Sequence, residues 1–310
     1  MIRLDIATVL LQWATGGLLF LWVTTRRREV GLGYGWLLRA TFGALAALAL
    51  GTGLTLEPVL LRDAASAGVV LASVAALAVS VVRRQAGVTG ERAEEARKAA
   101  RVAAMTGRGA AAGEAPISTG RPAAAEPFPA DAVSTEAPEA HLTRQREFPP
   151  ALDLVAPVIG TVGLIAAALD AGGSPALALI RTLTGAAFLG AVSDAMLLGH
   201  WYLVQPGMAR RPLLELVRWF TVLWPVEVVA LLLPTGMLAV LSGDITDGYN
   251  GLLGWFWVAC AITTIVLCVV TRAALKERYY SAVMAATGLL YLAILTAFGT
   301  DLVARAVLAG

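Results

Sequence analysis

Apolar residues fill this chain in long blocks, and polar positions gather between the blocks more than within them. The apolar runs lie at roughly 4–25, 35–56, 64–82, 152–170, 176–204, 213–241, 251–271 and 282–304. Most reach the ~20 residues that carry a helix across a bilayer. In hydrocarbon, each backbone N–H and C=O has to be satisfied inside its own segment, which selects helices. The pattern predicts an all-α fold, a polytopic membrane helix bundle of about eight transmembrane helices.

Composition agrees with the pattern. The chain is 58% hydrophobic and 15% charged, whereas soluble domains sit near 45–50% and 25%. The net charge of +2 says little, but its distribution says more. Arg26, Arg27 and Arg28, then Arg83 and Arg84, then Arg210 and Arg211, then Arg272, Lys276 and Arg278 fall in alternate loops. The intervening loops hold Glu57, Arg62 and Asp63, then Asp170, then Asp244 and Asp247. The positive-inside rule makes the basic loops cytoplasmic and both termini extracytoplasmic, in a plasma (inner) membrane. The first run has no Ala-x-Ala site and meets three arginines at once, so it is expected to be retained as a helix.

Residues 86–149 break the pattern. The stretch "GEAPISTGRPAAAEPFPADAVSTEAPEA" has almost no aromatic residues, and such material cannot offset the entropy of ordering. A disordered cytoplasmic linker is expected, with a short helix over "GERAEEARKAARVAAM" from its opposite charges at near-helical spacing. The chain thus divides into a three-helix segment (1–85), a linker (86–150) and a five-helix segment (151–310). No internal repeat of the kind built into many transporters is evident.

Soluble-enzyme motifs are missing: there is no GxxxxGK[ST], HExxH or CxxC. The "GLGYG" at 31–35 follows a membrane run and arginines instead of a strand, so it is not a nucleotide loop. The arginines are membrane anchors, and no nucleic-acid partner is expected. Cys260 and Cys268 lie about 12 Å apart along one helix and cannot pair. A bis-histidine haem needs two axial ligands within the membrane. The apolar runs hold only His200, because His141 lies in the linker, so a haem held by this chain alone is not expected.

The chemistry-bearing stretch is "GAVSDAMLLGHWYLVQPGMARRPLLELVRWFTVLWPVEVV", residues 190–229. It carries Asp194, His200, Tyr202, Arg218 and Glu227, and a charge at the bilayer centre costs about 2.5–3.5 kcal/mol or more. The short turn between the fifth and sixth runs makes them antiparallel neighbours. Measured from that turn, His200 and Arg218 form a layer near the cytoplasmic face. Asp194 and Glu227 form a second layer near the midplane and could share one proton. Asp194 and His200 stand about 120° apart around their helix, and Arg218 and Glu227 about 180°. The acidic pair is therefore expected to face the interior, with Pro225 beside Glu227 as a possible kink. Trp201, Tyr202, Trp219, Trp255 and Trp257 read as an interfacial belt, or as stacking partners for a quinone. Gly16, Gly17, Gly43, Gly51 and Gly53 read as points of close helix approach.

These features point first to a membrane-embedded subunit of a redox or energy-transducing complex, with a buried proton or quinone site on the fifth and sixth helices. Its partners would be the lipid bilayer and other membrane subunits. A proton-coupled transporter or channel is the second reading. A membrane scaffold without a small-molecule site is the third.

Overall fold

A computed structural model describes residues 5–84, 148–205, 208–233, 236–277 and 279–309. Nearly all of the expected linker, including its short helix and His141, lies outside the described residues. Every regular element among the described residues is helical. In chain order these are α1 (Ile6–Thr25), α2 (Leu32–Thr55), α3 (Leu60–Val82), a 3-10 turn (Pro150–Leu154), α4 (Val155–Asp170), α5 (Pro175–Val204), α6 (Arg211–Leu232), the short α7 (Met237–Ser242), α8 (Leu252–Lys276) and α9 (Tyr280–Leu308). Seven of the long helices are apolar enough to cross a membrane, and together they make a multi-pass membrane helix bundle. The long helix outside this set is α6, which carries Arg211, Glu215, Arg218 and Glu227 in 22 residues.

The bundle is built around α1 and α5. Of their most apolar stretches, 67% and 61% are buried, against 33–44% for the other five spans, so these two form its axis. α2, α3 and α4 pack on one side, with α3 against α4, and α6, α8 and α9 pack on the other. The two halves of the chain thus meet directly in one bundle. The axis depends on small residues. A Cβ on Gly16 would overlap the Ala186 carbonyl, and one on Gly190 would overlap the Gly16 backbone. Gly51, by contrast, has nothing within 4 Å and marks no close approach.

Three sequence expectations are corrected. The sixth run, 213–241, is two helices. Leu233 turns extended (φ −105°, ψ 154°), the conformation that a following proline imposes by steric clash, and Pro234 is next in the sequence. Arg62 and Asp63 belong to the first turn of α3 and are buried, not loop charges. Trp257 is no belt residue: it is buried, and its indole N–H donates to the Thr300 carbonyl at 2.9 Å.

Ion pairs close both ends of the bundle. At one end Arg39 of α2 grips Asp153 with two bonds of 2.8 Å, and Thr25 of α1 also donates to that carboxylate. At the other end Arg62 binds Asp5, Asp63 and the Glu57 carbonyl. Because the α1–α5 contact is backbone against backbone, Gly190→Val should cost roughly 1–3 kcal/mol or more. Thermal unfolding in detergent should show a clearly lower midpoint for this variant and an unchanged one for Gly51→Ala.

Candidate functional site

Helix packing also buries ionisable and amide side chains that lie outside the sequence stretch 190–229. Gln12, Arg181, Asp194, Glu227, Asp301 and Arg305 are all 0–1% exposed. Five of them gather in one place, contributed by four helices.

Asp301 and Arg305 come from α9, one turn apart, and pair through Nε and Oδ2 at 2.8 Å. Spacing of four residues puts both side chains on one helix face. Across from them, α5 presents Gly185. A Cβ there would collide with the Gln12 amide and would lie 2.8 Å from Asp301 Oδ1 and 3.3 Å from Arg305 Nη2. The missing side chain of Gly185 is thus what admits three polar groups to the helix surface. From α6, Glu227 turns its carboxyl toward Asp301 and the Thr184 hydroxyl, with the Arg305 and Arg181 charges nearby. Arg181 is engaged elsewhere: it donates to the carbonyls of Ala230 (2.9 Å) and Leu233 (2.8 Å) at the C-terminal end of α6. Those carbonyls carry the negative end of the helix dipole.

The cluster is incompletely satisfied. Both Glu227 oxygens, both polar atoms of the Gln12 amide, Asp301 Oδ1 and Arg305 Nη2 have no hydrogen-bond partner among the described residues. Buried polar groups are rarely left so, and those that are mark strain, water, an ion or a catalytic role. The Thr184 hydroxyl is directed to its own helix, donating to the Arg181 carbonyl at 3.4 Å. The one hydroxyl facing an ionised Glu227 is thus shared with a backbone carbonyl, whereas a protonated Glu227 can donate to Asp301.

A small cavity touches the cluster at one residue, Arg305. Its volume of about 20 Å³ is enough for at least one water, and it is lined by Asp5, Thr8, Glu57, Arg62, Asp170, Thr182 and Arg305 among others. It joins the charged residues where α1 and α3 begin and α4 ends to the guanidinium of the cluster.

The residues singled out in the sequence separate. Asp194 and Glu227 both face the interior, but they do not form a layer. Glu227 lies beside Thr184, and ten residues of α5, about 15 Å, separate Thr184 from Asp194. Glu227 is also nearer the end of its helix than the apolar run suggested. α6 stops at Leu232, five residues or about 8 Å further on, because the run was two helices. Asp194 is fully buried, both its carboxylate oxygens lack a hydrogen-bond partner among the described residues, and the Tyr34 hydroxyl donates to its backbone carbonyl at 3.4 Å. Arg218 points outward on α6, opposite Glu227. His200 is exposed, with Nδ1 3.3 Å from the Tyr291 hydroxyl. Tyr202 is buried, and its hydroxyl donates to the Ala209 carbonyl, closing the α5–α6 turn.

Asp301, Arg305 and Gln12 escaped the sequence reading. Their signal was present: an acid and a base four residues apart inside the last apolar run, and a glutamine inside the first.

Compared with known protein families, curated proteins and solved structures, the chain matches none. Its chemistry is therefore argued from the cluster alone.

Removing one partner of a buried ion pair typically costs 3–5 kcal/mol, because a lone charge is left behind. Arg305→Gln should thus lower the unfolding midpoint sharply. The double variant Arg305→Gln/Asp301→Asn should recover much of the loss in the same thermal assay.

Proposed function

We propose that this chain is an integral membrane protein that holds and passes a proton at the Glu227–Asp301 pair, as the proton-handling subunit of an energy-transducing membrane complex. The observation that carries this reading is the pair itself. Two carboxyls meet inside a bundle, and Glu227 faces the Asp301 acceptor with only the shared Thr184 hydroxyl as a donor. One proton on Glu227, donated to Asp301, satisfies both groups. Intramembrane carboxyls of this kind commonly serve proton relays. Arg305 holds Asp301 in place through their ion pair, and the cavity beside Arg305 has room for a water. Asp194, deeper in the bundle on α5, is a second proton-accepting group further along the same helix. His200, Tyr202 and Arg218 lie outside the cluster.

The same reading takes α6 as an eighth span. Its 22 residues cover about 33 Å, close to the ~30 Å hydrocarbon thickness. Three of its four charges fall in the first two turns, and the fourth is Glu227, which faces protein. The basic loops meet at one end, where Arg26 and Arg27 bind Glu215 and Arg210 donates to Glu277 and Tyr279 carbonyls. That end is cytoplasmic by the positive-inside rule, which puts both termini and the small cavity beside Arg305 on the extracytoplasmic side of an inner membrane.

A second reading, a proton-coupled transporter, draws on the small cavity beside Arg305, which this chain forms without any partner.

Purification in mild detergent, followed by mass spectrometry and an optical spectrum, separates the two. Co-purifying membrane subunits or redox bands are expected for the complex, and the assembly's proton uptake should fall at least tenfold in Glu227→Gln. Solute-driven acidification by the protein alone in vesicles would select the transporter. Unchanged proton movement in both Glu227→Gln and Asp301→Asn would overturn either form of the proposal.

A further inference from the structure

A second site lies at the opposite end of the molecule and owes nothing to the carboxyl cluster. α1 and α6 barely touch, and between them opens a groove of about 620 Å³ lined by Arg27, Arg211, Leu214, Glu215, Arg218, Trp219 and Val222. Arg218 is exposed. It makes no hydrogen bond or ion pair among the described residues. Arg27 and Arg211 are only loosely held, by ion pairs of 3.5 Å to Glu215 and Glu29, and remain 35% and 68% exposed. Counting Arg26, which also binds Glu215, four arginines face two glutamates and leave a charge of +2.

Arg218 sits seven residues, about 10 Å, inside the start of α6. With α6 taken as a span, the reading proposed above on which this inference rests, lipid surrounds an outward-facing side chain at that depth, and a guanidinium there has to reach an anion or water. The same helix face then becomes wholly apolar. Trp219, Val222, Val226 and Val229 are each 42–52% exposed, and they recur every three or four residues, on one side of the helix. From Arg218 to Val229 the stripe runs about 16 Å, roughly one leaflet's half of the ~30 Å core. Phe20 of α1 stacks edge-on against Trp219 with centroids 6.3 Å apart.

We propose that this groove seats one anionic phospholipid. Its phosphate takes the fork of Arg218 donors, with Arg211 and Arg27 at the headgroup rim, and one acyl chain lies along Trp219, Val222, Val226 and Val229. Guanidinium suits this ligand because its planar donors match phosphate oxygens two at a time. Basic pockets between membrane helices are known to hold anionic headgroups. A soluble anion explains the arginines but not the apolar stripe beneath them, so the lipid is the occupant that uses the whole groove.

The test reconstitutes the full-length protein in vesicles of phosphatidylglycerol and phosphatidylcholine in equal amounts, then measures retained lipid by native mass spectrometry. Wild type should keep one phosphatidylglycerol in clear preference to phosphatidylcholine. Arg218→Gln should reduce that preference about fivefold, the effect of one interfacial positive charge, without moving the unfolding midpoint, since Arg218 binds no protein group among the described residues. Val222→Trp should displace the lipid while leaving every charge in place. Added inorganic phosphate should not compete. Equal retention of the two lipids, a preference untouched by Arg218→Gln combined with Arg211→Gln, or displacement by inorganic phosphate would each overturn the proposal.

Discussion

A charge taken out of water by this bundle has to find its counter-charge inside the chain, and the architecture follows from that constraint. Arg39 is stranded on α2 unless Asp153 comes to it, so the residues leading into α4 are tied to α1 and α2. Arg62 likewise draws Asp5 and Asp63 together at the other end. Each of these pairs is geometrically complete, with carboxylate oxygens and guanidinium donors matched. Completed pairs of this sort hold helices in register, although they add less net stability than their geometry suggests, since both charges pay for desolvation.

Against those closed pairs, the Gln12–Glu227–Asp301–Arg305 group stands apart. It is equally buried, and it is assembled from three helices, yet it leaves donors and acceptors unmatched. A purely structural core would gain by replacing it with apolar packing. Gly185 makes the opposite choice, giving up a side chain on the central helix α5 so that polar atoms can converge there. The bundle therefore has a polar centre, with a small cavity beside Arg305. Its other end carries an arginine-lined groove that opens sideways between α1 and α6.

The sequence was most legible where one physical rule acts alone. Block hydropathy located the long helices within a few residues, because the cost of an unsatisfied backbone in lipid leaves few alternatives. Angular arithmetic put Glu227 and Arg218 on opposite sides of α6, and the structure has one buried and the other exposed. Legibility failed where a tertiary contact or a single backbone clash decides. Pro234 split the sixth run and moved Glu227 toward a helix end. The partner of Glu227 proved to be Asp301, more than seventy positions away in sequence, instead of Asp194 on the adjacent helix. No hairpin-based reasoning reaches such a contact, since it depends on how α9 docks against α5. Asp301 and Arg305 were readable only as an unexplained acid and base within an apolar run, and what they meet is a property of packing.

The central claim is that Glu227 and Asp301 share a proton inside the bundle. Infrared difference spectroscopy of the protein in vesicles, recorded across a pH step, tests it most directly. A carbonyl stretch from a protonated carboxylic acid should be present in the wild type, should shift slowly and incompletely on exchange into heavy water, and should vanish in Glu227→Gln. Absence of such a band in the wild type, or its persistence in full strength in both Glu227→Gln and Asp301→Asn, would contradict the account.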